Sequence, residues 1–167
     1  DQTPMSADRP ELTIEAVVNG DPIEATIEPR LKLSDFLRTE CGTRSVRVGC
    51  EHGVCGACAV LVDGDLTKSC LSYASQIDGS EIETAEGLLE DEALTPIQTA
   101  FAESNALQCG FCTSGFMMAT KALLEEHPDP DDETIKQELS GNICRCTGYQ
   151  PIFDAVHESA ERLAETE

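Results

Sequence analysis

Apolar and polar residues alternate near the start of the chain and predict a β-hairpin. From Leu12 to Val18 every second residue is apolar, which is the period of a strand with one buried face. Asn19 and Gly20 supply a tight turn, and the alternation resumes from Ile23 to Ile27. The fold should therefore open with two antiparallel strands.

The rest of the N-terminal half predicts a small sheet with one short helix. Ser34 is the expected cap of a helix over Asp35–Arg38, and a loop rich in glycine and cysteine runs from Gly49 to Gly56. Three further strands are predicted, the first two joined by a turn at Asp63-Gly64: Ala57–Val62, Leu66–Ser69 and Ile82–Thr84.

Beyond about Glu86 the apolar spacing changes to three and four residues, which indicates helices. Helix starts are predicted at Thr95-Pro96, near Phe116, at Asp131 or Asp132, and at Pro151. The second helix should stop at His127-Pro128 and the third at Ser140-Gly141. The expected core-facing residues are Ile97, Ala100, Phe101, Phe116, Met117, Ala119, Leu123, Leu124, Ile135, Leu139, Ala155, Ala160 and Leu163.

The acidic stretch Glu81–Glu92 divides these two halves. It contains six acids and no base, so we expect the linker there. The predicted organisation is an N-terminal tail (1–10), a sheet domain (11–85), a helical domain (86–160) and a C-terminal tail (161–167).

Charge and hydropathy exclude several classes of protein. The 167 residues contain 11 Lys and Arg against 32 Asp and Glu, a formal charge of −21, which is unlike a nucleic-acid binder. Apolar residues make up 40%, enough for a folded core. The sequence has neither a long apolar run nor a signal peptide, so we expect no membrane insertion and a cytoplasmic protein. The acidity suits either a saline cytoplasm or acidic faces matched to partner subunits.

Nine cysteines suggest metal ligands, because thiols stay reduced inside the cell. The run Cys50-x4-Cys55-x2-Cys58, with the later Cys70, has the spacing of plant-type [2Fe-2S] ferredoxins. Zinc is the alternative, although it usually pairs two short Cys-x2-Cys elements. His52 lies in the loop, but a Rieske centre needs two histidines on one iron, so we expect an exposed or hydrogen-bonding residue.

A second group of cysteines consists of two pairs at predicted helix ends, Cys109-x2-Cys112 and Cys144-x-Cys146. Alone it fits zinc, an iron–sulfur cluster or a redox dithiol, and the nearby ferredoxin-type loop favours a second [2Fe-2S] cluster. Cys41 has no partner in either group, and we expect it to be a small packed residue.

Three motifs occur in order in this one chain: Gly-Cys-Glu-His-Gly-Val-Cys-Gly-Ala-Cys (49–58), Gln-Cys-Gly-Phe-Cys-Thr (108–113) and Gly-Asn-Ile-Cys-Arg-Cys-Thr-Gly-Tyr (141–149). Over residues 11–160 the sequence resembles the small iron–sulfur subunit of the molybdenum hydroxylases, the xanthine dehydrogenase and aldehyde oxidoreductase family. The resemblance implies an α+β fold. A β-grasp, plant-type ferredoxin-like domain would be followed by a four-helix-bundle domain, each holding one [2Fe-2S] cluster.

The same resemblance assigns roles to residues and partners. Cys109, Cys112, Cys144 and Cys146 would hold the cluster nearer the molybdenum, and Cys50, Cys55, Cys58 and Cys70 the cluster nearer the flavin. Gln108 and Cys146 would contact the pterin. A large subunit would carry molybdopterin, in a dinucleotide form, and a medium subunit FAD, in a dimer of heterotrimers. This chain would pass electrons one at a time and contribute no catalytic residue.

A stand-alone ferredoxin-like carrier is the alternative function, and a zinc module is a third. A carrier that exchanges partners should have a charged surface around its clusters, whereas a permanent subunit should have an apolar one. Five residues near the cysteines could form an apolar interface or merely shield the clusters: Val54, Phe111, Ile143, Tyr149 and Ile152.

Overall fold

The computed structural model describes residues 10–89 and 93–166. The N-terminal half forms a five-stranded mixed sheet in the order β2-β1-β5-β3-β4. The strands are β1 (Leu12–Val18), β2 (Asp21–Ile27), β3 (Ala59–Val62), β4 (Asp65–Lys68) and β5 (Glu81–Glu83). β1 pairs in parallel with β5, and every other pair is antiparallel. The predicted hairpin is confirmed, with Leu12 opposite Ile27 and a left-handed Asn19-Gly20 turn.

Helix α1 (Leu33–Thr39) packs across one face of this sheet. Leu33, Phe36 and Leu37 are fully buried, and burial of such side chains stabilises the fold by roughly 1.5–3 kcal/mol each. The prediction that Ser34 caps this helix is wrong. The cap position is Lys32, and Ser34 lies inside the first turn, because Leu33 is drawn into the core and starts the helix earlier.

The acidic segment after residue 80 is a linker only in part. The prediction of a linker over all of Glu81–Glu92 is wrong, whereas the strand predicted at Ile82–Thr84 is present one residue earlier. Glu81–Glu83 forms the central strand β5, since the one apolar residue, Ile82, is buried in the core while its acidic neighbours point outward. Residues 90–92 of this segment lie outside the described part of the chain.

The C-terminal half contains four helices: α2 (Pro96–Glu103), α3 (Thr113–Glu126), α4 (Asp132–Glu138) and α5 (Gln150–Thr166). Thr95 caps α2 in a capping box with Gln98, and Asp131 caps α4. The α+β class and the four helices are confirmed. The predicted C-terminal tail is wrong for residues 161–166, which continue α5 because Leu163 still packs on the helical core. Among the helices of the described residues, none is long and apolar enough to cross a membrane.

The sheet and the helices meet through helix α3, which packs against β3. Met118 is fully buried in a small apolar cluster with Ala59, Leu61 and Leu88. At the edge of this contact Lys121 on α3 pairs with Glu83 on β5 at 2.5 Å. The contact aligns the start of α3 with the cysteine-rich loop that precedes β3.

Candidate metal centres

Three cysteines of the first group, Cys50, Cys55 and Cys58, lie on the tightly curled loop between α1 and β3, and Cys70 follows β4. Glu51, Gly53 and Gly56 all have left-handed backbones, with φ of 56°, 81° and 72°. This turns backbone N–H groups toward sulfur, and the Cys55 N–H lies 3.4 Å from Cys50 Sγ. At Gly49 a Cβ would lie only 3.3 Å from Cys55 Sγ, so glycine lets the chain pass close to a sulfur.

The structure brings the four sulfurs of this first group together as two pairs. Cys50 lies beside Cys55, and Cys58 interacts with Cys70. N–H groups of His52, Cys55 and Val54 favour the thiolate and lower the pKa of Cys50 to about 6. Burial, followed by the neighbouring Cys58, raises the pKa of Cys70 to about 11. The loop therefore already favours negative charge at one end of the group.

His52 is exposed, and its Nδ1 hydrogen-bonds the carbonyl oxygen of Cys50. This confirms the expected hydrogen-bonding loop residue. With Nδ1 occupied by the backbone, the ring serves to shape the loop.

The second group is assembled from two loops of the helical half. Cys109 and Cys112 precede α3, and Cys144 and Cys146 precede α5. Cys146 Sγ lies 3.6 Å from Cys109 Sγ, and Cys112 interacts with Cys144. The sulfurs again form two pairs. Helix α3 begins right after Cys112, so the positive end of its dipole lies beside this group, as expected.

The thiols of the second group differ in pKa according to burial and hydrogen bonding. Burial, followed by Cys144, raises the pKa of Cys112 to about 12. Burial also opposes ionisation of Cys144, but hydrogen bonds from Thr147 outweigh it and lower the pKa. The Phe111 N–H and the Cys146 side chain lower the pKa of exposed Cys109, while its partner Cys146 has a raised pKa.

The two cysteine-bearing regions are in direct contact. The Ile143 N–H donates to the carbonyl oxygen of Cys55 at 3.0 Å, which joins a residue next to Cys144 to a cysteine of the first group. Lys68 Nζ donates to the Gly141 carbonyl at 3.1 Å, and Asn142 Nδ2 donates to the Gly56 carbonyl. Three hydrogen bonds therefore join the two regions, and the one from Ile143 ends on a cysteine of the first group.

Exposed apolar side chains lie near the sulfurs, among polar and charged ones such as Glu51 and Arg145. Val54, Phe111 and Ile143 are 52%, 43% and 45% exposed, as a docking surface requires. Ile152 was predicted to join them, but it is fully buried, because it faces the helical core from the first turn of α5. Tyr149 is half-buried and packs edge-on against Phe116. Gln108 is exposed beside exposed Cys109, so its amide is accessible to another chain.

The donor set fits [2Fe-2S] clusters. Each group offers two pairs of sulfurs, and a two-iron cluster takes two thiolates at each iron. Backbone N–H groups turned toward Cys50 and Cys144 offset negative charge on the sulfurs. Within residues 10–89 and 93–166, no three His, Cys, Asp or Glu side chains are grouped to hold one metal ion. Cys41 is half-buried against the sheet core and outside both groups, as expected.

Two contributors to these sites were missed from the sequence. The Thr147 hydroxyl lies 3.1 Å from Cys144 Sγ, and the Glu86 carboxylate holds the loop that leads into the first group through the N–H groups of Arg44 and Ser45. A hydroxyl directly after Cys146 was a signal for the first. Nothing local distinguished Glu86 from the other acids.

Comparison with known proteins identifies both halves. Residues 16–95 match the family described as 2Fe-2S iron-sulfur cluster binding domain, and residues 84–157 match the [2Fe-2S] binding domain. The class is thus a protein with two [2Fe-2S]-binding domains.

Similar proteins align over nearly the whole chain. The small subunit of nicotine 6-hydroxylase from Paenarthrobacter nicotinovorans is 49% identical over 96% of this chain and 96% of its own. The xanthine dehydrogenase iron-sulfur-binding subunit of Escherichia coli O157:H7 is 48% identical over 87% of this chain and 92% of its own. A chain of quinoline 2-oxidoreductase from Pseudomonas putida 86 superposes with a TM-score of 0.90 and is 43% identical, over 94% of this chain and 98% of its own. The chain belongs to the family of small iron–sulfur subunits of the molybdenum hydroxylases, the xanthine dehydrogenase and aldehyde oxidoreductase type.

Proposed function

We propose that this chain is the electron-transfer subunit of a molybdenum hydroxylase, passing electrons one at a time between a molybdopterin centre and FAD on partner subunits. The observation that carries the proposal is the contact between the two cysteine groups through the Ile143 N–H and the Cys55 carbonyl. A [2Fe-2S] cluster, when bound, accepts and releases one electron. The chain's own task is to hold two such centres close together in fixed positions.

The proposed ligands follow the two groups. Cys50 and Cys55, with Cys58 and Cys70, would hold the flavin-side cluster. Cys109 and Cys146, with Cys112 and Cys144, would hold the molybdenum-side cluster. The structure supports this assignment, because the four cysteines of each group come together although they are up to 37 positions apart in the sequence.

Exposure supports a pterin contact at Gln108 and Cys146. Both residues lie at the surface, and the Gln108 amide offers two donors and one acceptor to a heterocyclic ring. Burial of this corner by the large subunit would bring the pterin next to a ligand sulfur. The first group, on the other loop, would then be left nearer the flavin subunit.

Exposed apolar side chains near the sulfurs favour a permanent subunit over a carrier that exchanges partners. Val54, Phe111, Ile143 and Leu71 are exposed apolar side chains around the cysteine loops, and interface cores are depleted of charge. We accordingly propose large and medium partner subunits in a dimer of heterotrimers. Nine cysteines with no disulfide among the described residues are typical of a reducing cytoplasm, where we propose the complex works.

The hydrophobic cores support the proposed domains, residues 11–85 and 86–160. One core extends from Ile14 to Ile82, and a second from Ile97 to Ala160. Each group of cysteines borders one core. Each domain would therefore supply the apolar surface that excludes water from one side of a cluster.

Matched ligand substitutions test the assignment in the purified complex. Cys146→Ser should damage the cluster of the helical domain while the EPR signal of the other cluster survives, and Cys50→Ser should do the reverse. A Cys41→Ser control should leave both signals intact. If Cys146→Ser and Cys50→Ser altered the same signal, or neither altered one, the ligand groups would be wrong.

The pterin contact has its own test. Gln108→Ala should leave both clusters assembled but slow reduction of the helical-domain cluster by substrate. Unchanged reduction kinetics would remove Gln108 from the contact.

A further inference from the structure

The side chain of Thr147 donates to a proposed ligand sulfur. Its Oγ1 lies 3.1 Å from Cys144 Sγ, and its backbone N lies 3.4 Å from the same sulfur. A thiolate that holds iron can only accept, so the hydroxyl proton points to sulfur. Across residues 10–89 and 93–166, no other hydroxyl donates to a sulfur of either cysteine group.

The surrounding loop holds this hydroxyl in its orientation. The Tyr149 N–H donates to Thr147 Oγ1 at 3.2 Å, which occupies an oxygen lone pair and leaves the proton for sulfur. Tyr149 Oη in turn accepts the Cys144 N–H at 3.1 Å, while its ring packs edge-on against Phe116. Left-handed backbones at Gly148 and Tyr149, both with φ of 72°, close the turn. The hydroxyl is therefore pre-positioned by a closed set of hydrogen bonds.

We propose that Thr147 sets the reduction potential of the cluster held by the second cysteine group. This proposal rests on the ligand assignment proposed above. Reduction adds one electron to a diferric cluster and leaves one ferric and one ferrous iron. The Thr147 proton stays on its oxygen, and no covalent bond forms or breaks. Because the reduced cluster carries one more negative charge, a donated hydrogen bond stabilises it more than the oxidised cluster.

Among the described residues no hydroxyl donates to a sulfur of the first cysteine group, so the Thr147 hydrogen bond should make the two clusters differ in potential. The donors near Cys50 are backbone N–H groups, among them Cys55 at 3.4 Å. The hydroxyl makes the helical-domain cluster a better acceptor of electrons from the molybdenum side. Thr147 is a positioning and tuning residue that leaves cluster binding to the cysteines.

The test is an EPR-monitored redox titration of the purified complex with dithionite as reductant, so no substrate is needed. Thr147→Val and Thr147→Ala should each shift the equilibrium of the helical-domain cluster about tenfold toward the oxidised form, a midpoint roughly 59 mV lower for a one-electron couple. The ferredoxin-type cluster should keep its potential. Thr147→Ser, which retains the hydroxyl, should restore the original value.

Thr120→Val is the matched control. Thr120 is buried on α3, and its hydroxyl has no hydrogen-bond partner within the described residues. Its replacement by valine should therefore leave both reduction potentials unchanged. An unchanged potential in Thr147→Val and Thr147→Ala, with both signals present, would overturn the proposal. Loss of the cluster in both would also overturn it, since the hydroxyl would then be needed for binding. A signal that survives Cys144→Ser would instead refute the ligand assignment.

Discussion

Substitution of Gly115 tests the contact that holds the two cysteine groups together. Gly115 is the third residue of α3 and faces the first cysteine loop. A Cβ there would lie 2.2 Å from the Gly56 carbonyl oxygen and 3.0 Å from Ala57 Cα. A carbon normally stays about 3.3 Å or more from an oxygen, so Gly115→Ala should force the helix and the loop roughly 1 Å apart.

Two opposing effects decide the sign of the stability change. Alanine favours a helix over glycine by about 1 kcal/mol, whereas overpacking costs typically 1–3 kcal/mol. Both clashing neighbours are backbone, which cannot rotate away, so we take the upper value and expect a net loss of about 2 kcal/mol. For a chain of this size that lowers the Tm by roughly 4–8 °C.

The assay compares thermal unfolding of the cluster-loaded chain, followed by circular dichroism, at one scan rate. Gly141→Ala is the matched control. A Cβ there meets only the flexible end of Lys68, at 3.4 Å, so its Tm should hardly change. The magnetic interaction between the two reduced clusters should also weaken in Gly115→Ala alone. A Gly115→Ala chain as stable as the wild type would refute the close approach of α3 to the loop.

Three further predictions concern single side chains. Thr95→Ala should remove the capping box with Gln98 and cost about 1 kcal/mol in denaturant unfolding; no loss would mean the helix needs no cap. Partial burial of Glu86 opposes its charge, but hydrogen bonds, first from Ser45, outweigh burial and lower the pKa of this carboxyl. The charged Glu86 therefore stabilises the fold above the unfolded pKa of about 4.3, and this stabilisation is lost as the pH falls through the lowered folded pKa. Glu86→Gln should therefore have a lower free energy of unfolding than the wild type at pH 7, and the difference should shrink below about pH 4.3. A difference that stayed constant with pH would show that the charge of Glu86 does not stabilise the fold. Burial, then the Glu40 charge, raises the pKa of Cys41 to about 11, so its alkylation at pH 8 should be slow in the folded chain and fast after unfolding; equal rates would contradict its packing.

Local signals in the sequence predicted several of the helix ends correctly. Thr95-Pro96, Asp131 and His127-Pro128 mark helix ends through chemistry that acts within one turn, and the structure has helix ends there. The two strands of the N-terminal hairpin were predicted from alternation, which also acts over a few residues. Cysteine spacing predicted which sulfurs belong together, and the structure brings the members of each group close.

Tertiary contacts explain the errors and omissions. The charge of Glu81–Glu83 placed this stretch inside the predicted linker, although a strand was also predicted at Ile82–Thr84. Burial of the single apolar residue Ile82 makes the stretch the central strand. Ser34 was predicted to cap α1 from its residue type alone, but the helix begins one residue earlier, at Leu33, because Leu33 is buried in the core. Glu86 holds residues more than forty positions away in sequence, at 44 and 45, a contact that no local pattern encodes.

The central claim is that this chain carries two [2Fe-2S] centres for electron transfer between partner subunits. The most direct test measures iron and acid-labile sulfide per chain in the purified complex, together with EPR spectra of the dithionite-reduced protein. We expect about four irons, four sulfides and two distinct signals per chain. About two irons with bound zinc and a single signal would contradict the claim and leave only the ferredoxin-type centre.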